Sequence, residues 1–322
     1  MKKIVENFKF WLNNARPYSI PITLLSWLVI YVYSIKQGGN CLLGLLAYFG
    51  IAIVHLATNL SDDYFDYKRL SCDDKYLENS KTVKCRYLRN GKATINDLRN
   101  VIILMLVFAG LIGFILMLFS GYYVILFALA VLPIAILYSQ LSSRGLGDIA
   151  VILAYGPFMF EGVYYVMTKD LSLDVLILSV SCAMYVNTIL YAHMLMDFDE
   201  DVYSSKTTLC TKLKTKDNAL KFMIIFYILG YTCILLLALK TSNFYYLLTF
   251  LTIPLVVELY KSLKKYNENK NYLPNVKFYH YPLDNWNAVK STPDAPFFLR
   301  FMFTRNITTW FMLLTCFAIL LG

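Results

Sequence analysis

The chemistry-bearing residues begin with Asn59, Asp62, Asp63 and Asp66, in the stretch Ala57-Thr58-Asn59-Leu60-Ser61-Asp62-Asp63-Tyr64-Phe65-Asp66-Tyr67. A helix turning about 100° per residue sets their oxygens on one face. They close the apolar run from Cys41 to Thr58, where uncompensated carboxylates would repel one another strongly. A divalent cation removes that repulsion, and Asp and Asn oxygens suit Mg²⁺; a solvated helix end is the alternative. A second acidic stretch, Asp197-Phe198-Asp199-Glu200-Asp201, follows another apolar run, and Asp197 and Asp201 share a helix face. Basic residues follow each group: Lys68, Arg69 and Lys75 after the first, and Lys206, Lys212, Lys214 and Lys216 after the second. Two acidic groups with basic segments above them make a place for two Mg²⁺ ions bridging a diphosphate.

The elements that position these groups are membrane helices. Of 322 residues, 58% are hydrophobic and only 16% charged, with mean hydropathy +0.53; a soluble domain is about 45–50% apolar. The expected fold is all-α, a single polytopic domain over 1–322, with about nine spans in a bundle around a central chamber. The spans are expected near 18–36, 41–64, 98–119, 122–140, 149–167, 173–196, 218–239, 243–262 and 303–321, each about the 20 residues a bilayer helix needs. Residues 1–15 read as a basic interfacial helix rather than a signal peptide. Segments 67–95 and 197–217 are the site loops, and 263–298 is an extra polar loop rich in Asn and Tyr. Nearly all Lys and Arg lie in the N-terminus and in the loops after even-numbered spans. The positive-inside rule then puts both acidic groups and the N-terminus in the cytoplasm and the C-terminus outside, in what reads as a prokaryotic cell membrane. The net charge of +9 is a property of these loops and points to phosphate or anionic lipid, not nucleic acid. Seven scattered cysteines form no C-x-x-C pair, and His55, His193 and His280 have no metal-binding spacing.

Taken together, these motifs resemble the UbiA superfamily of intramembrane prenyltransferases. Asn59-Leu60-Ser61-Asp62-Asp63-Tyr64-Phe65-Asp66-Tyr67 is similar to the first aspartate-rich motif of its menaquinone branch, the 1,4-dihydroxy-2-naphthoate prenyltransferases. Asp197-x-x-x-Asp201 with Lys206-Thr207-Thr208-Leu209 resembles the second. Arg144-Gly145-Leu146-Gly147-Asp148, Tyr155-Gly156-Pro157, Gly162-Val163-Tyr164-Tyr165-Val166 and Ala15-Arg16-Pro17 resemble further motifs of that branch, over roughly residues 10–260. The chain departs from the branch at Asp62 (usually Asn), at Met196 (usually Arg), at His193-Met194 (usually Asn-Asn) and at Leu70 (usually Gly).

The resemblance implies Mg²⁺-dependent transfer of a polyprenyl group from an allylic diphosphate to an aromatic quinone precursor, with loss of the acceptor's carboxylate in the menaquinone branch. Asp63, Asp66, Asp197 and Asp201 are the expected catalytic metal ligands, with Asn59 and Asp62 beside them. Arg69, Lys75 and Lys206 are candidate diphosphate contacts together with Asn59, whereas Lys81, Lys212 and Lys214 read as topology signals. Tyr64, Tyr138, Tyr155, Tyr191, Arg144 and His193 are candidate contacts to the acceptor or to an allylic cation, although each tyrosine also suits plain packing and His193 suits a hydrogen-bonded interior position. Arg16 reads as an interface anchor or a contact to a substrate carboxylate, and Arg144 with Asp148 as a cap on span 5. Loop 263–298 is either a lid or a surface excursion on the headgroups. A different acceptor (hydroxybenzoate-like, haem-type or glycerol phosphate) keeps the same site. A cation-coupled transporter fits less well, because the acids sit at helix ends instead of mid-span. The sequence points to no protein partner.

Overall fold

The computed structural model describes residues 2–70, 85–203 and 206–322, with the backbone alone for 2–5, 69 and 70. Among the described residues the chain is helical, and its β-type pairing is confined to an isolated bridge between Arg144 and Thr207. Helix α1 (Lys2–Asn14) precedes a single 3₁₀ turn at Pro17–Ser19. Then come α2 (Ile20–Lys36), α3 (Cys41–Leu70), the short α4 (Arg86–Arg89), α5 (Ile95–Ser120) and α6 (Tyr123–Ser143). Helix α7 (Gly147–Leu153), a π turn at Ala154–Phe158 and α8 (Met159–Thr168) form one interrupted span. Next are α9 (Leu173–Met196), α10 (Phe198–Tyr203), α11 (Leu209–Lys212) and α12 (Lys216–Thr241). A 3₁₀ stretch at Phe244–Thr252 leads into α13 (Ile253–Glu268), and α14 (Trp286–Val289) and α15 (Ala295–Leu321) complete the chain.

Nine described segments are long and apolar enough to cross a membrane, close to where the apolar runs place them. Only backbone that satisfies its own hydrogen bonds can do so, which is why the runs fold as helices. In α5, 11% of the most apolar window is buried inside the protein; in α9 it is 72%. Helix α9 is therefore the inner member, packed between α12 and α15 and against the interrupted span. The α5 side chains Leu104, Phe108, Leu111, Phe114 and Leu118 point outward, toward lipid. The interruption follows from Gly156-Pro157: Pro157 lacks an amide hydrogen and Gly156 takes a non-helical conformation. A Cβ on Gly156 would lie 2.9 Å from Cβ of Ala183, so glycine also permits the close approach to α9.

The two ends of the bundle differ. At one, Lys36 donates to the Ile319 carbonyl (2.8 Å), Asn243 donates to the Ala318 carbonyl (3.0 Å), and Lys240 pairs with Asp174. The other end carries both acidic motifs and the N-terminal turn.

The expected boundaries shift around residues 263–303. Helix α13 runs to Glu268, and the last helix starts at Ala295, not near 303. The cause is Arg300, 1% exposed, which a hydropathy reading places outside a span. Its guanidinium donates to the carbonyls of Pro296 (2.7 Å), Ser262 (3.0 Å) and Tyr272 (3.0 Å) and lies over the Tyr266 and Tyr272 rings. Asn306 adds donations to the carbonyls of His280 (2.6 Å) and Pro282 (2.8 Å), and Arg305 pairs with Asp284 at 2.9 Å. The segment between α13 and α15 is thus tied to the bundle at many points. Arg300→Ala leaves three carbonyls without their donor and is expected to cost about 2–4 kcal/mol. Thermal unfolding in detergent measures this; an unchanged midpoint contradicts the assigned role.

Candidate active site

The first motif lies on the last turns of α3, which continues as one helix through Asp66, so its acids share a face as their spacing requires. Asn59 does not point its amide nitrogen at a ligand; it donates to the Ala15 carbonyl (2.9 Å) and to Ser19 Oγ (3.1 Å), fixing the turn between α1 and α2. In that turn Arg16 adopts a left-handed backbone (φ 57°). Its guanidinium reaches Asp62 at 3.4 Å and also pairs with Asp63. Neither expectation for Arg16 included this role, the pairing of its guanidinium with the first motif. Desolvation works against the Arg16 charge, but Asp63 and Asp62 outweigh it and hold its pKa above the ordinary value.

Asp63 is 3% exposed. Its other carboxylate oxygen accepts from the Tyr87 hydroxyl (3.1 Å), and its carbonyl accepts from the Cys85 thiol (3.3 Å). Tyr87 in turn packs edge-on against Phe10 and Trp11 of α1. The Tyr87 hydroxyl is pushed well above its usual pKa by burial and by Asp63, so it stays a donor. Asp66 accepts from Ser139 Oγ of α6 at 2.9 Å. Tyr64 turns away from this face into the small cluster under α1, with Lys68 over its ring. The Arg69 side chain and all of Lys75 and Lys81 lie outside the described residues.

The second motif begins where α9 ends. Asp197 caps that helix, α10 follows, and the Asp201 amide donates to the Asp197 carbonyl (2.9 Å). The i, i+4 relation read from the sequence is therefore present. Asp201 is buried and its carboxylate meets Lys206 Nζ at 3.2 Å. Burial raises the Asp201 pKa more than Lys206 lowers it. At the neighbouring Asp199, burial again opposes ionisation, but hydrogen bonds from Lys216 (2.6 Å) and Lys270 (3.1 Å) prevail and hold it below the usual range. His193 is not interior. Its side chain is 48% exposed and meets Asp197 at 3.1 Å, with the Phe297 and Phe301 rings edge-on to it. Tyr191 is fully buried and donates to the Ala219 carbonyl (2.8 Å), so it is a core residue and not a lining one.

The turn between α6 and α7 joins the two motifs at one end of the bundle. Ser139 holds Asp66, and Arg144 bridges to Thr207 in the segment that follows the second motif. Gly145 has φ 70°, and Lys212 Nζ donates to the carbonyls of Arg144 (3.1 Å) and Gly145 (3.3 Å). Lys212 is thus a strap and not merely a topology signal. The adjoining Thr208 starts α11 as its cap, accepting from the Thr211 amide at 3.2 Å. The Arg144 side chain itself is exposed at this end. Asp148 does not cap α7; its buried carboxylate accepts from Asn187 of α9 at 3.1 Å. Tyr138 lies on α6 immediately before Ser139, the residue that holds Asp66. The motifs and their link therefore face one compartment.

Several of these contacts have no sequence signal. Tyr87, Ser139 and Asn187 are ordinary residues whose roles exist only after the helices pack. His55 was within reach of pattern reasoning: it lies one turn before Asn59 on the same face. Its ring receives Ser19, Thr23 and Tyr155.

The Arg16–Asp63 pair predicts a large coupling. Arg16→Gln removes a guanidinium from a buried carboxylate and is expected to cost about 3 kcal/mol. The same change in an Asp63→Asn background is expected to cost less, with a coupling of about 1–3 kcal/mol. A double-mutant cycle by thermal unfolding measures it, and additive effects would contradict the pairing.

With this geometry in hand, comparisons with known proteins agree. Residues 19–280 match the UbiA prenyltransferase family. The 1,4-dihydroxy-2-naphthoate octaprenyltransferase of Haemophilus influenzae is 24% identical over 225 residues, 66% of this chain and 71% of that protein. The Escherichia coli enzyme of the same name is 24% identical over 222 residues, 65% and 70% of the two chains. Among solved structures, one from work on digeranylgeranylglyceryl phosphate synthase superposes with TM-score 0.62 at 16% identity, covering 97% of this chain and 99% of the other, a likeness of fold. The chain is a membrane-embedded prenyltransferase and belongs to the UbiA family.

Proposed function

We propose that the chain transfers a polyprenyl group from an allylic diphosphate to an aromatic quinone precursor of the 1,4-dihydroxy-2-naphthoate class, at a site open to the cytoplasm of a prokaryotic cell. The observation that carries this reading is the tie between the two acidic helix ends through Ser139, Arg144 and Thr207. One polyanionic head can then meet both ends while its hydrocarbon tail lies among apolar helices. The two naphthoate octaprenyltransferases support the acceptor class.

The donor set suits Mg²⁺: carboxylates on two helix ends and no thiolate among them. Among the described residues no three His, Cys, Asp or Glu side chains converge on a point. Mg²⁺ usually takes one or two carboxylates and draws its remaining oxygens from phosphate and water. Asp62 and Asp66, with Asp63 behind them, would hold one ion, and Asp197 and Asp201 the other; Asn59 holds the adjoining turn. When bound, Mg²⁺ makes diphosphate a better leaving group by neutralising its charge.

The chain's own cations do the rest. Arg16 balances Asp62 and Asp63, and Lys206 beside Asp201 is placed to turn toward a phosphate oxygen. The apolar bundle keeps water from an allylic cation, and the rings of Tyr138 and Tyr155 are assigned to stabilise it through their π faces. Lys270, in the segment between α13 and α15, meets Asp199, and Phe297 and Phe301 of α15 stand edge-on to His193.

The test is pyrophosphate release from a polyprenyl diphosphate, with a panel of aromatic acids analysed by mass spectrometry. Release should require Mg²⁺, stop on chelation, and give a decarboxylated prenyl-naphthalenediol. Asp66→Ala and Asp201→Asn should each lower turnover by about 10²–10³-fold or more. Turnover in the presence of chelator contradicts the metal assignment, and prenylation confined to a non-aromatic acceptor contradicts the acceptor.

A further inference from the structure

Inside the bundle, about one helical turn below Asn59, roughly 6 Å along α3, lies a hydrogen-bonded group that no motif contains. The His55 ring stands between three hydroxyls. Nε2 is 2.8 Å from Ser19 Oγ, and Nδ1 is 2.9 Å from the Tyr155 hydroxyl and also meets Thr23 Oγ1. Thr23 and Tyr155 are themselves 3.1 Å apart. The surrounding bonds set the direction of this chain. Ser19 Oγ donates its hydrogen to the Arg16 carbonyl (2.8 Å) and accepts from Asn59 (3.1 Å). Its remaining lone pair requires Nε2 of His55 to be a donor, which leaves Nδ1 as an acceptor in the neutral ring. The two hydroxyls facing Nδ1, that of Tyr155 at 2.9 Å and that of Thr23, are both in position to donate to it.

Position adds to this. Tyr155 sits in the π turn, where the backbone departs from the helix, and such turns often re-aim functional side chains. Through His55, the phenol oxygen of Tyr155 is tied to α3 about one turn below Asn59, on the side of the bundle that carries the first motif.

We infer that Tyr155 and His55 form a proton-holding pair for a phenolic acceptor. Tyr155 touches the acceptor, and His55 acts through it as a positioning and proton-storing residue. The acceptor's O–H bond breaks as an O–H bond forms at Tyr155. The Tyr155 hydrogen passes to Nδ1 of His55, where a new N–H bond forms. The electron pair left on the acceptor oxygen enriches the ring carbon that attacks the allylic cation. Once the new carbon–carbon bond has formed, the carboxylate on the attacked carbon leaves as CO₂, the electron pair of that bond restores the aromatic ring and its phenolate, and the proton returns along the same path to the product oxygen, so no external base, oxidant or reductant is consumed. Asn59 and Ser19 hold Nε2 as the donor and keep Nδ1 available.

This inference rests on the aromatic-acceptor reading, and the experiment separates the two. His55→Gln and Tyr155→Phe are compared with the unmodified chain, using hydroxynaphthoic acids of graded phenol acidity, from electron-rich ones to halogenated ones whose phenol is already ionised at the assay pH. Release of pyrophosphate without acceptor and the thermal midpoint are recorded in parallel. With weakly acidic acceptors, His55→Gln and Tyr155→Phe are expected to lower kcat by about 10²-fold or more, within the range of general-base catalysis, with little change in KM. With pre-ionised acceptors the loss should shrink to a few-fold, because the proton is already gone. A structural defect would lower turnover equally for every acceptor. Equal losses across the series, or unchanged kcat in His55→Gln, overturn the inference and leave the acceptor class standing. Failure of the unmodified chain to prenylate any phenol overturns the acceptor class and the inference together.

Discussion

Negative charge at the ends of apolar helices is the constraint around which the molecule is arranged. Carboxylates at Asp62, Asp63 and Asp66 sit where the surroundings solvate them poorly, so each needs a partner. Arg16 supplies the cation, Tyr87 and Ser139 supply hydroxyl donors, and Asn59 holds the turn that presents Arg16. A buried ion pair of this kind gives little net stability; its effect is to place charge. The left-handed backbone at Arg16 and the edge-to-face packing of α1 against Tyr87 serve the same placement.

The second motif is balanced differently. Its acids meet lysines on flexible stems, Lys206 at Asp201 and Lys216 with Lys270 at Asp199. The lysines of these pairs are partly exposed, although Asp201 itself is buried. One side of the site is therefore neutralised by a fixed guanidinium, and the other by lysines that can turn away. The turn from Ser139 to Asp148 connects the sides, and Lys212 straps its carbonyls. An enzyme that must first bind and then release a polyanion benefits from this asymmetry, because tight balance on both sides would trap the product.

The spans were legible because nothing but helices satisfies a backbone in lipid, so apolar run length alone placed α2, α3, α5 and α6 within a few residues. The shared face of Asn59, Asp62, Asp63 and Asp66 was legible for the same reason: spacing determines facing once helicity is given. What the sequence concealed depends on partners far along the chain. Arg16 lies 46 residues from Asp62, and no local pattern relates them. Arg300 made the expected last span begin too late, because hydropathy charges the full penalty for a guanidinium and cannot see three carbonyls waiting for it. His193 was expected inside because of its apolar neighbours, yet the end of α9 turns it outward beside Asp197. Tyr191 and Tyr155 look alike in sequence and part ways in space, one in the core of α9 and α12, the other on a broken turn beside His55.

The central claim is that two acidic helix ends, far apart in the chain, act as a single diphosphate receptor. Titration calorimetry with a non-reactive prenyl thiodiphosphate in the presence of Mg²⁺ examines it directly. The account predicts one ligand per chain and loss of that binding from Asp66→Asn and from Asp197→Asn alike. Two independent sites per chain, or full affinity surviving either substitution, would contradict it.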